Sequence, residues 1–145
     1  MSDLSHLGLV EYILGQSSIV SLLATQGGDP AVFPSRRNTT PDVFPQLIIL
    51  ETDGGPESDE GYSSKMVHEW FSIQVWDDSR DPVRMKRIAR KVGEKLHEGR
   101  FPMDDVVVHY IERVQGGQAE GYDVNTKTHF IIQSYHLCYT PEEET

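Results

Sequence analysis

The residues of this chain best suited to chemistry are imidazoles and one thiol. His136 and Cys138 stand two apart in the segment Thr126–Tyr139. In a strand that spacing puts both side chains on one face of a sheet, where His68 or His109 of other strands could approach them. A zinc site needs three or four such ligands with a supporting outer shell, and no pair here has a diagnostic short-range spacing. These positions read as hydrogen-bonded or solvated strand histidines. Ser134 and His136 also point the same way, but no strand-to-helix elbow presents the serine as a nucleophile. Cys138 is the sole cysteine, which excludes an internal disulfide and any multi-cysteine centre, and it reads as a small buried hydrophobe. Asp77, Asp78 and Asp81 cluster where a helix begins; carboxylates there complement the first-turn N–H groups, a simpler account than a cation site. No phosphate-cradling glycine loop, HExxH or GxSxG pattern occurs. The expectation is a protein without catalytic, metal-binding or cofactor-binding residues, hence not an enzyme.

Charge is more informative. The 145 residues carry 13 basic and 23 acidic side chains, a net charge of -10. Residues 79–100 hold eight of the basic residues and only three of the acidic ones. A basic helix on an acidic body disfavours general duplex binding, which draws on a broad basic face. It offers instead two complementary patches on one molecule, a means of setting orientation in self-association. No run approaches the roughly 18 apolar residues of a membrane span, and the N-terminus has no signal-peptide pattern. The chain is expected to stay where it is made and to form no membrane contact.

The elements that must position these groups follow from periodicity. Residues 4–14 suggest a helix with Ser5 as N-cap and Leu7, Val10, Ile13 and Leu14 as its stripe. A short turn over Ile19–Ala24 ends at Gly27-Gly28-Asp29-Pro30, followed by a short strand at Ala31–Pro34 and a proline-bounded loop. Gln46–Glu51 is a continuous apolar run, as in a central strand covered on both faces. The acidic, glycine-containing stretch 51–64 reads as a long loop. From Val67 to Trp76, Val67, Phe71, Ile73 and Val75 alternate with His68, Trp70, Ser72, Gln74 and Trp76. Trp70 and Trp76 are then either core under a helix or interface anchors.

Asp81-Pro82 should cap a helix whose buried stripe is Met85, Ile88, Ala89, Val92 and Leu96. Arg84, Arg87, Lys91 and Lys95 run parallel to that stripe. Val106–Val114 and Thr126–Tyr139 are the closing strands, with GGQAEG at their turn, and an acidic tail over 141–145 is expected to be disordered. One domain over 1–140 follows, of α+β class, with a mixed or mainly antiparallel sheet and helices on one face.

Several segments taken in order resemble a known family. VFP, PQLIIL, FSIQVWDDSRD, IARKVGEKLH and THFIIQSYHLCYT are similar to segments of the tail-completion and tail-terminator proteins of long-tailed bacteriophages, which include the tail-to-head joining proteins. The resemblance spans nearly the whole chain and includes no catalytic residue. It implies a structural virion protein at the head-proximal end of the tail, assembled in the host cytoplasm as a homohexameric ring. Such a ring would cap the tail tube protein, dock the head-completion or connector protein and let genomic DNA through its lumen without specific binding. Within it, the stripe Arg84, Arg87, Lys91 and Lys95 would face Glu57, Asp59 and Glu60 of the next subunit. The competing readings are a head-closure or neck subunit of the same particle, a small cytoplasmic metal-dependent enzyme built on the histidines, and a nucleic-acid binder built on the basic helix.

Overall fold

The computed structural model describes residues 2–52, 57–58, 66–97 and 106–141. The order is α1 (Ser2–Leu14), α2 (Ser17–Val20), β1 (Thr25–Gln26), β2 (Asp29–Pro30), β3 (Val32–Phe33), β4 (Gln46–Glu51), β5 (Glu57–Ser58), β6 (Val67–Asp77), α3 (Val83–His97), β7 (Val106–Asp123) and β8 (Thr128–Pro141). The main sheet runs β3-β4-β6-β8-β7, with β5 also paired to β6, while β1 and β2 form a separate hairpin. Only β3–β4 is parallel. The fold class is therefore α+β with a mainly antiparallel sheet.

One apolar core holds the layers together. The apolar run of β4 occupies the sheet interior between β3 and β6, and Leu47, Ile48 and Ile49 are fully buried. Phe71, Ile73 and Val75 of β6, with Ile131, Tyr135 and Leu137 of β8, meet α3 through Met85, Ile88, Val92 and Leu96. Leu9, Val10 and Ile13 of α1 and Ile19 of α2 join the same cluster. All three helices thus lie on one face of the sheet. At α3 the expected start holds: the Asp81 carboxylate accepts the Val83 N–H at 2.9 Å, and the Pro82 carbonyl accepts the Lys86 N–H at 3.0 Å.

Two sequence readings are corrected. The buried stripe of α1 is Leu9, Val10 and Ile13, whereas Leu7 is 52% exposed. The helix also begins before Ser5. Apolar residues surround this helix in the sequence, so periodicity alone does not select its inner face. The second correction concerns GGQAEG, which is strand and not turn: β7 continues to Asp123, and residues 124–127 make the turn. Its glycines answer local demands. Gly116 takes a positive φ of 79° at a β-bulge. A Cβ on Gly117 would lie 2.9 Å from the Ser134 side chain, and one on Gly121 would lie 2.8 Å from the Phe130 ring. By contrast, Gly27 and Gly28 do form a turn, both with positive φ between β1 and β2.

Glu57 belongs to β5 by its backbone. Residues 53–56, residues 59–64 with Asp59 and Glu60 among them, and the tail after Pro141 lie outside the described residues.

Candidate functional site: a bare aromatic sheet face and a basic cleft

The face of the sheet opposite the helices carries the even-numbered residues of β6. No α-helix among the described residues covers it, but at the Trp76 end the segment 37–44 does: Gln46, Ile48 and Trp76 are buried there and the Arg37 guanidinium lies 5.9 Å from the Trp76 ring, whereas Trp70 is half-buried. His68 and His136 do meet on this face: His68 Nδ1 lies 2.8 Å from His136 Nε2, and His136 Nδ1 lies 3.2 Å from Glu112 Oε1. A carboxylate only accepts, so His136 Nδ1 carries a proton. The three groups form a hydrogen-bonded chain running from His68 through His136 to Glu112. Trp70 stacks on His136 with centroids 4.7 Å apart and planes 12° from parallel, and Tyr110 meets the same ring edge-on at 5.4 Å. His109 instead contacts the Thr140 hydroxyl at 2.6 Å. Cys138, paired in register with His68, is fully buried. Among the described residues no group of three or more His, Cys, Asp or Glu side chains is arranged to hold a metal ion.

A second aromatic group lies farther along the face. Trp76 and Phe130 pack with tilted rings 4.7 Å apart, Trp76 Nε1–H donates to Gln74 Oε1 at 2.8 Å, and the Arg37 guanidinium sits 4.8 Å above the Phe44 ring. The first group leaves a half-buried amphipathic patch on this face, whereas Trp76 of the second is buried.

On the helix side, the stripe of α3 is not uniform. Arg84 meets acids of its own chain: its Nε donates to Asp77 Oδ2 at 2.8 Å, and Asp78 lies 3.7 Å away. The Asp77 hydrogen bonds, opposed by some burial, hold the Arg84 guanidinium above its ordinary pKa. Asp77, fully buried at the end of β6, is thus an arginine anchor, while Asp81 alone caps the helix. Lys91 lies 3.7 Å from Glu94 of the next turn. Arg87 is exposed and, like Lys95, has no carboxylate within 4.0 Å among the described residues. No described side chain brings the stripe to the acids of the 51–64 loop.

Around the helix from this stripe, α3 and the β7–β8 hairpin bound a solvent-open cleft of about 400 Å³, which sequence reasoning missed. Arg113 of β7 lies across α3 at Gly93, where a Cβ would stand 2.3 Å from Arg113 Nη2 and 3.5 Å from the Tyr135 hydroxyl. Glycine inside a helix costs about 1 kcal/mol relative to alanine, so Gly93 was the available signal: a helical glycine without a Cβ makes room for a crossing side chain. Tyr135 is nearly fully buried. Burial raises its hydroxyl pKa, partly offset by the charge and hydrogen bond of Arg113. Arg90 lines this cleft, paired to Glu94 at 3.9 Å, and a neighbouring pocket of about 330 Å³ shares Arg90, Arg113 and Tyr135 and adds Lys86, paired to Glu120 at 3.2 Å.

The fold is similar to that of a chain in a solved structure titled "Virion of native gene transfer agent (GTA) particle". The match has a TM-score of 0.74 and covers 96% of both chains at 12% identity, so what the two have in common is the fold. Neither a described protein family nor a curated protein matches the sequence.

Proposed function

We propose that this chain is a structural virion protein that forms a ring at the head-proximal end of a tail, where it ends the tail tube and joins it to the head-completion complex. The observation that carries this reading is the end-to-end correspondence with a chain of a virion particle, without a large insertion or missing element on either side. The surfaces support it. A ring is built from unlike patches that meet head to tail and close when the rotation per subunit divides a full turn. Here the basic α3 and the acidic remainder of the chain are such patches, and β7 presents a long strand edge at the margin of the sheet. The acidic excess also suits a conduit, since like charge keeps DNA from adhering to a wall.

Electron microscopy of tails assembled with and without the protein tests this role. Overlong tubes in its absence are the expected result for a terminator, and tails of normal length that fail to join heads are expected for a joining subunit. Normal, head-bearing particles in its absence would overturn the proposal.

A further inference from the structure

We infer that the cleft between α3 and the β7–β8 hairpin receives the acidic segment 51–60, ETDGGPESDE, of a neighbouring copy of this chain. The inference deepens the ring reading and rests on it.

The cleft is built in advance. Between the pairs Arg113–Tyr135 and Gln118–Gln133, β7 advances five residues while β8 advances two. The extra backbone is held by one side chain: the Gln133 amide nitrogen donates to the carbonyls of Val114 at 3.2 Å and Gly117 at 3.4 Å. This fixed bulge lies beside Arg113, whose guanidinium rests over Gly93. Arg113 is a planar donor fork suited to carboxylates, yet among the described residues no carboxylate lies within 4.0 Å of it. The acids at the cleft, Glu120 and Glu94, are engaged by Lys86 and Arg90. The cleft therefore has a guanidinium that hydrogen-bonds Tyr135 but has no carboxylate partner among the described residues.

The segment 51–60 supplies the complement, with five acidic residues in ten and no basic one. Its position favours another copy over its own. The segment joins β4 to β6 and contributes β5 on the β4 side of β6, whereas the cleft lies between α3 and the strands β7 and β8 on the other side of β6. β5 and the cleft thus lie on opposite sides of β6, as suits a contact between unlike patches of neighbouring copies. The cationic side of the contact is then Arg113, with the Glu94-paired Arg90 beside it, and the stripe through Arg87 is not needed.

Charge exchange in the full-length chain tests this, with association read by sedimentation at low and high salt. Arg90→Glu with Arg113→Glu, or Glu57→Lys with Asp59→Lys and Glu60→Lys, should each weaken association by at least about tenfold, the scale of one charge-assisted hydrogen bond. Both sets together should restore it to within a few-fold of the parent. Gly93→Ala keeps every charge but displaces Arg113, and should weaken association while leaving far-ultraviolet circular dichroism unchanged. Parent copies that fail to associate at high protein concentration, an unaffected single-sided variant, or no recovery on combination would overturn the inference. Particles that still carry a complete ring of the Arg90→Glu, Arg113→Glu variant would also overturn it and leave the ring reading standing. Absence of any ring from parent particles would overturn the ring reading itself.

Discussion

At the residue scale, two side chains of opposite charge organise the junction of sheet and basic helix. Asp77 is buried and accepts from Arg84, which is 46% exposed. The two partners are therefore unequal. Loss of Asp77 leaves a guanidinium with access to water; loss of Arg84 leaves a carboxylate without it. Arg84→Met should cost about 2 kcal/mol of stability, the range of a hydrogen bond to a charged group, and adding Asp77→Asn should recover much of that. Chemical denaturation of the single and double variants measures both. Equal stability of Arg84→Met and parent would show that the pair is no anchor. The sequence places Asp77 among three neighbouring aspartates with nothing to rank them. Asp81 was legible as a cap because proline follows it, but the bond from Asp77 to a residue seven positions on depends on where β6 ends against α3.

At the element scale, the strands and α3 could be read wherever one face meets core and the other does not. The alternation in β6 and the spacing of Met85, Ile88, Val92 and Leu96 are both present in the buried set. The readings that fail are those where local chemistry has two meanings. A glycine-rich stretch signals a turn, but in β7 it accommodates a bulge and two cross-strand side chains. Gly121 shows this most simply, because the Phe130 ring covers it from the neighbouring strand. Gly121→Val should push Phe130 off Trp76 and cost about 1–3 kcal/mol. It should also change the tryptophan emission, since the two rings pack 4.7 Å apart. Unchanged unfolding temperature and emission would mean that the ring moves aside without loss. The Arg113 cleft was hidden for a related reason: its two walls come from segments twenty residues apart in sequence and are joined only by the absence of a Cβ at Gly93.

At the scale of the whole molecule, the distribution of surface types matters more than any one group. One face of the sheet is closed by helices, and on the other Trp70, Tyr110 and the His68–His136–Glu112 chain are partly exposed. The proposed ring would use the basic α3 side as one patch and the acidic remainder as the other. Its fold class and charge asymmetry were legible from composition and periodicity. The strand order was not, since it places β7 at an edge although that strand is late in the chain. Individual exposed ion pairs contribute about 0.2–1 kcal/mol, so in a ring they would set register while apolar contact supplies affinity.

The most direct test of this account is cryo-electron microscopy of intact particles that contain the protein, with the chain located in the density. The account predicts a closed ring of identical copies at the head-proximal end of the tail, each copy meeting the next through two different surfaces. A chain absent from the particle, or present only as isolated copies without mutual contact, would contradict it.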